Sequence, residues 1–140
     1  MKANCLNCLV EFKYSPSQSY GKYCSNKCQG IYRWQTETLN KIKSGQVTST
    51  VSLRKYLTEV NGCACSECGV GETYNNKPIT LQVDHVDGNS DNNAPSNLRL
   101  LCPNCHSQTP TWVSRNKKSA KRNTYLQKYK SGRYKNGRVA

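Results

Sequence analysis

Between Asp84 and His106 the chain gathers side chains suited to hydrolysing a phosphodiester with a metal's help. Asp84 and His85 are adjacent, Asn97 follows, and Cys102-Pro103-Asn104-Cys105-His106 completes the group. A carboxylate such as Asp84 offers a hard oxygen ligand that suits Mg²⁺ or Mn²⁺. A histidine next to it, with an ordinary pKa of about 6.5, suits taking a proton from water near neutral pH. His106 offers a second ligand. A single cation and one base are enough to activate the water and to neutralise the departing 3′-oxygen. The chain has two histidines, His85 and His106, and both fall in this stretch. His106 follows Cys105 directly and so also stands as a possible zinc ligand, but four cysteines already fill that site. Asn97 is a candidate positioning residue, although an Asn before a strand is also a common turn or cap residue.

Elements must hold these groups in place. Ile79, Leu81 and Val83 alternate, so residues 78–83 are expected to form a strand with Asp84-His85 at its end. Consecutive strand residues point to opposite faces, so the strand must end or bend there, and Val86-Asp87-Gly88 permits that. Residues 87–93 form a polar loop rich in turn formers. Residues 96–101 are expected to be a second strand and residues 102–109 a short helix. Pro110 holds Thr109 extended and limits that helix.

Nine cysteines accompany a mean hydropathy of −0.82, so the core is thin and staples are needed. Cys65-x-x-Cys68 and Cys102-x-x-Cys105 have the spacing of a closed tetrahedral zinc site. Cys63 does not fit the spacing and is left as a free or buried thiol. Cys5-x-x-Cys8 and Cys24-x-x-x-Cys28 propose a second Cys₄ zinc, with a short strand over 10–14 and Ser25 as a helix N-cap. A knuckle, a hairpin and a cysteine pair opening a helix make a treble-clef-like module. Two disulfides are the alternative. The first residues lack the apolar run of a signal peptide, which points to a reducing intracellular location and favours zinc.

A helix is expected from Gln29 to about Ser44, with Ile31, Trp34, Thr38, Leu39 and Ile42 on one face and Gly45 as its stop. A second is expected to run to Val60, capped by Thr50 or Ser52 and ended by Asn61-Gly62. Solvated faces are the first reading for Lys41, Lys43, Arg54 and Lys55.

The run Leu81 to Asn89, followed by Asn97 to Thr109, resembles the HNH endonuclease family, and in particular its small zinc-containing bacteriophage members. The matching stretch extends from Cys65 to Thr109. The resemblance implies a ββα-metal core in which Asp84 and His106 hold a catalytic divalent cation, His85 is the general base, and Asn97 holds the loop and orients His85. Asp87, Asn89 and Asn93 match the family's polar loop without an assigned role.

Charge completes the expectation. The net charge is +13, with five acids and two bases in residues 63–106 but ten bases and no acid in residues 107–140. A locally acidic stretch suits a cation, and a polycationic tail suits nucleic acid phosphate. A solvated arm is the plain alternative, compatible with ordering on DNA. Arg115, Lys117, Lys118, Lys121 and Arg122 are the expected DNA contacts. Trp112, Tyr125, Tyr129 and Tyr134 interleave with the tail's bases for stacking or for packing on the core. No stretch is long and apolar enough to be a membrane-spanning helix.

The sequence therefore predicts an α+β protein organised as a Cys₄ module over 1–30, a helical connector over 31–62, a nuclease core with a second Cys₄ zinc over 63–112, and a basic tail over 113–140. The expected cofactors are two structural zincs and one catalytic Mg²⁺ or Mn²⁺. The expected partner is double-stranded DNA, nicked or cut on both strands by a monomer or a homodimer. The expected location is intracellular, in the bacterial host cytoplasm if the gene is carried by a phage. The alternative is a zinc-dependent DNA-binding protein that does not cleave.

Overall fold

The computed structural model describes residues 1–17 and 20–113, and the backbone of two short strands near the C-terminus. The chain divides into two compact units, Met1–Ser44 and the residues from Gly45 on. The expected helical connector, residues 31–62, falls on both sides of that division. Its first half belongs to the first unit and its second half to the other.

In the first unit, β1 (Lys2–Asn4) and β2 (Glu11–Lys13) pair antiparallel, with Ala3 opposite Phe12. The Cys5–Cys8 knuckle is the turn that joins them. It is closed by Leu9 N–H to Cys5 O at 2.9 Å and by Cys5 N–H to Val10 O at 3.0 Å. Helix α1 (Asn26–Arg33) starts at Ser25, whose hydroxyl accepts from the Cys28 N–H at 3.2 Å. This satisfies one of the free donors of the first turn.

The helix does not run unbroken to Ser44. A π-helical turn occupies Trp34–Thr38, and α2 (Leu39–Lys43) follows. One extra residue in a turn rotates everything after it by about 100°. The stripe expected through Ile31 and Ile42 is therefore broken: Ile31 is exposed while Ile42 is fully buried. Gly45 then stops the helix with φ +71.

In the second unit, α3 (Thr50–Asn61) is capped by the Ser49 hydroxyl rather than by Thr50 or Ser52. Gly62 ends it at φ 81. Leu53 and Leu57, one turn apart, are both buried. This face of α3 packs on a hairpin of β5 (Gln82–His85) and β6 (Leu98–Leu101). Leu81, Leu98, Leu100 and Leu101 complete the core. A separate two-residue hairpin, β3 (Thr73–Tyr74) with β4 (Lys77–Pro78), takes up the start of the strand expected over 78–83. A 3₁₀ turn over Pro95–Asn97 delays β6 to Leu98.

Helix α4 (Pro103–Gln108) follows β6, with Pro103 at its first position and Cys102 as its cap. Thr109 is extended, as Pro110 requires, and its hydroxyl donates to His106 O at 3.0 Å. Near the C-terminus, β7 (Tyr134–Lys135) pairs with β8 (Arg138–Val139). Arg115, Lys117, Lys118, Lys121 and Arg122 lie outside the described residues, as do Tyr125 and Tyr129. No helix among the described residues is long and apolar enough to cross a membrane. The mixture of short helices and hairpins is the α+β architecture expected, with two cysteine clusters that could hold metal ions.

Candidate active site and metal centres

Register and pleat assemble the site. Asp84 lies directly across from Arg99, and Gln82 across from Leu101. Side chains alternate along a strand, so Gln82 and Asp84 share one face of β5 while Val83 and His85 share the other. Both Gln82 and Asp84 meet His106 from α4. The His106 Nδ1 hydrogen-bonds Gln82 Oε1, and its Nε2 stands 3.5 Å from Asp84 Oδ1. An amide oxygen only accepts, so Nδ1 carries the proton and Nε2 presents its lone pair toward Asp84. Trp112 packs edge-on against the imidazole, with centroids 4.6 Å apart, and so belongs with the core.

Asp84 is 4 % exposed. A carboxylate at that depth needs a charged partner. Arg99 supplies it, donating from Nε to Asp84 Oδ2 at 2.8 Å and from Nη1 to Glu67. Burial works against the guanidinium's charge, but Asp84 and Glu67 outweigh it and raise its pKa. Burial, aided by Arg99, lowers the His106 pKa against the opposing pull of Asp84. The imidazole is therefore neutral at pH 7, the form that ligates metal. Two ligand atoms 3.5 Å apart can share one cation at the usual distances of about 2.1 Å.

His85 makes a different contact. Its Nε2 hydrogen-bonds the Oδ1 of Asn93 at 3.0 Å, which leaves Nδ1 as the acceptor. Asn93 is 5 % exposed and fixes the ring. Asn97, expected to orient His85, bonds elsewhere. Its amide donates to Asp87 Oδ1 and to Asn92 O, both at 2.9 Å, and its oxygen accepts from Asp87 N–H at 3.0 Å. Asn97 thus closes the loop over 87–93 at its base, and His85 is oriented by Asn93. The Asp87 carboxyl is held below its usual pKa by the Asn92 amide, with the Asn89 N–H and the Asn97 amide adding to it.

The structure therefore brings Asp84 and His106 together and places His85 at the end of the same strand on the Asn93 loop. Gln82, Asn93, Arg99 and Glu67 are site residues that the sequence reading did not assign. For Gln82 a signal existed: it stands two residues before Asp84 on an alternating strand.

The two cysteine groups form compact clusters. The sulfurs of Cys5, Cys8, Cys24 and Cys28 lie within 4.8 Å of one another, as do those of Cys65, Cys68, Cys102 and Cys105. Individual separations are 3.7 Å for Cys8–Cys24, 3.5 Å for Cys24–Cys28 and 3.8 Å for Cys68–Cys102. A tetrahedron with metal–sulfur bonds of 2.3 Å has an edge of about 3.8 Å, so both groups fit a tetrahedral thiolate-held ion. Burial raises the Cys5 thiol, but N–H groups of Cys8, Cys24 and Asn7 outweigh it and bring it to about 6. Cys24, facing Cys28 and Cys8, is pushed up to about 12. Cys65 and Cys105 split in the same way, to about 6 and about 12. Four thiols in one small volume cannot all ionise unless a cation balances them. Cys63 stands outside both clusters.

The second knuckle is tied to the hairpin: Ser66 N–H donates to Leu100 O at 2.8 Å, and Glu67 reaches Arg99. The cysteine knuckle thus bears on the residue that holds Asp84.

Residues 71–108 match the family described as HNH endonuclease. The chain is also 52% identical over 52 residues to the H-N-H endonuclease F-TflIV of Escherichia phage T5. That alignment covers 37% of this chain and 22% of the relative, so the chain spans about a fifth of the curated relative's length. No solved structure matches the chain. The segment around β5, β6 and α4 is thus similar to HNH endonucleases, one of them from a phage.

Proposed function

We propose that this chain, through its HNH segment, is a metal-dependent DNA endonuclease. The observation that carries the reading is the pairing of buried Asp84 with the free Nε2 of His106, beside a His85 whose Nδ1 is left as an acceptor. Asp84 and His106 would hold one divalent cation, Mg²⁺ or Mn²⁺. Such a cation supplies positive charge to the scissile phosphate and to the departing 3′-oxygen.

The protein's own groups do the rest. His85 Nδ1 takes a proton from a water as the water's oxygen forms a bond to phosphorus and the bond from phosphorus to the 3′-oxygen breaks. Asn93 keeps the ring presented and stabilises its protonated form by accepting from Nε2–H. Gln82 keeps the His106 lone pair aimed at Asp84, and Arg99 keeps the carboxylate in place. His85 is the last residue of β5 and follows Asp84 directly, so the scissile phosphate is proposed to bind at that end of the strand. Asn97 acts through the loop. Zinc is the ion proposed for both Cys₄ clusters, where it takes the place of a larger core. Duplex DNA is the proposed substrate and the basic tail its proposed grip.

The test is conversion of supercoiled plasmid by purified zinc-loaded protein with Mg²⁺ or Mn²⁺ added or omitted. The reading predicts relaxed or linear product only with the added cation. Relaxed circles alone would mean one nick per encounter, and linear product would mean paired cuts. Tight, salt-sensitive binding with the plasmid intact under every cation would favour the non-cleaving DNA-binding protein.

A further inference from the structure

The first unit carries a cleft that the hydrolytic site does not use. Its volume is about 470 Å³, within the roughly 300–1,000 Å³ range of sites that hold small organic groups. Phe12, Tyr14, Tyr20 and Tyr23 line it together with Lys13 and Lys22. No carboxylate lines it. The two acids of residues 1–44 are engaged elsewhere, Glu11 with Lys2 at 2.7 Å and Glu37 with Arg33 at 3.7 Å. Ser25, Asn26 and Gln29, at the start of α1, form another part of its lining, and the first turn of that helix holds no acid.

The walls are set by packing. Gly21 has φ +65, and a Cβ there would fall 2.5 Å from the Tyr14 ring. Only glycine therefore lets that ring lie against the backbone. Phe12 and Tyr14 meet at a tilt of 44° with centroids 6.0 Å apart, and Tyr23 packs on Tyr32 at 5.5 Å. Tyr20 differs: it is 94 % exposed, with its ring presented to solvent beside the two lysines.

We propose that this cleft binds single-stranded nucleic acid, with an unpaired base stacked on Tyr20 and the flanking phosphates held by Lys13 and Lys22. Aromatic faces accept any base, and lysines beside them track the backbone. In an intact duplex the base faces are covered by their neighbours, so an exposed tyrosine face discriminates for an unpaired strand. An acidic peptide would answer the lysines but leave the aromatic faces unused. The proposal rests on the nuclease reading only for its setting, as a second hold on the nucleic acid being processed.

The test uses the full chain carrying His85→Ala, zinc-loaded and without added Mg²⁺, so that binding alone is read. Anisotropy of a labelled single-stranded oligonucleotide and of its duplex is followed across a salt series. Tyr20→Ala should weaken single-strand binding at least about fivefold, the low end of one base stack, and duplex binding less. Lys13→Gln with Lys22→Gln should reduce the slope of log K against log salt by about 1.4, the value for two phosphate contacts to a single strand. Lys41→Gln with Lys43→Gln on α2 should leave it near the parent value. Unchanged single-strand binding by Tyr20→Ala would overturn the proposal. So would an equal loss from the α2 pair, which would mean diffuse attraction, or equally effective displacement by polyglutamate. Cleavage is not read, so failure here leaves the nuclease reading standing. An intact plasmid in the cleavage test would likewise leave this binding standing.

Discussion

Asp84 accepts a 2.8 Å hydrogen bond from Arg99 through one carboxylate oxygen and faces His106 at 3.5 Å through the other. The two residues are cross-strand neighbours, and Arg99 continues to Glu67 inside the second cysteine knuckle. The oxygen proposed to hold the catalytic cation is thereby oriented from a cysteine knuckle that could hold a metal ion.

Replacing Arg99 tests that relay. Arg99→Lys keeps the charge but loses the fork that spans two carboxylates. It should lower affinity for Mn²⁺ about tenfold or more, as loss of a ligand's supporting contact does. Glu67 is half exposed, with its side chain at 53%, so Glu67→Gln should cost no more than about fivefold. Titration of Mn²⁺ into each variant, with zinc content measured alongside, checks both.

Gln82→Leu removes the acceptor that fixes the His106 tautomer. Mn²⁺ affinity should fall about 10- to 100-fold with both zincs retained. The pH dependence carries a sign. Burial holds His106 below its usual pKa, so the ligating neutral form persists from high pH through the ordinary histidine value of about 6.5. Affinity should stay flat down to that point and decline only below it. Measuring it in His85→Ala removes the other imidazole from the titration.

The candidate site was legible in the sequence where residue types are rare and spacing is strict. Both cysteine clusters and the trio Asp84, His85 and His106 were of that kind. Its polar supports were not. Arg99 becomes a partner of Asp84 only once the register of β5 and β6 is set, and Asn93 is one of three asparagines among seven loop residues. The exchange of Asn97 for Asn93 as the partner of His85 has that origin: the loop folds back and brings an earlier asparagine to the ring. Among the elements, the strand expected from Pro78 starts at Gln82, because Lys77–Pro78 pair with Thr73–Tyr74 instead. The break at Trp34–Thr38 left no mark in the hydrophobic spacing.

The two units each enclose one cysteine cluster, so their losses should separate. Cys68→Ser should release one zinc, loosen the β5–β6 hairpin and abolish cleavage. Cys8→Ser should release the other and leave hydrogen exchange at Leu98–Leu101 unchanged. Zinc release by a colorimetric chelator, combined with exchange mass spectrometry, reads both. Parallel loosening of both units in either variant would contradict the separation.

Leu9 holds φ 62 where the second knuckle has Gly69 at φ 74, and both N–H groups close their loops at 2.9 Å. Left-handed backbone costs a leucine about 1–2 kcal/mol, and its side chain is 76 % exposed. Leu9→Gly should therefore raise stability, by up to about 1 kcal/mol after glycine's own entropic cost. Chemical denaturation of the zinc-loaded protein measures it, and a loss of stability would contradict the strain.

The central claim is that His85 is the base of a metal-dependent cleavage. The most direct measurement is single-turnover cleavage of plasmid by His85→Ala beside the parent protein, with Mg²⁺ and with zinc content and DNA affinity held equal. The account predicts a loss of at least 10²-fold, the low end of a general base's contribution. Cleavage at the parental rate would contradict it.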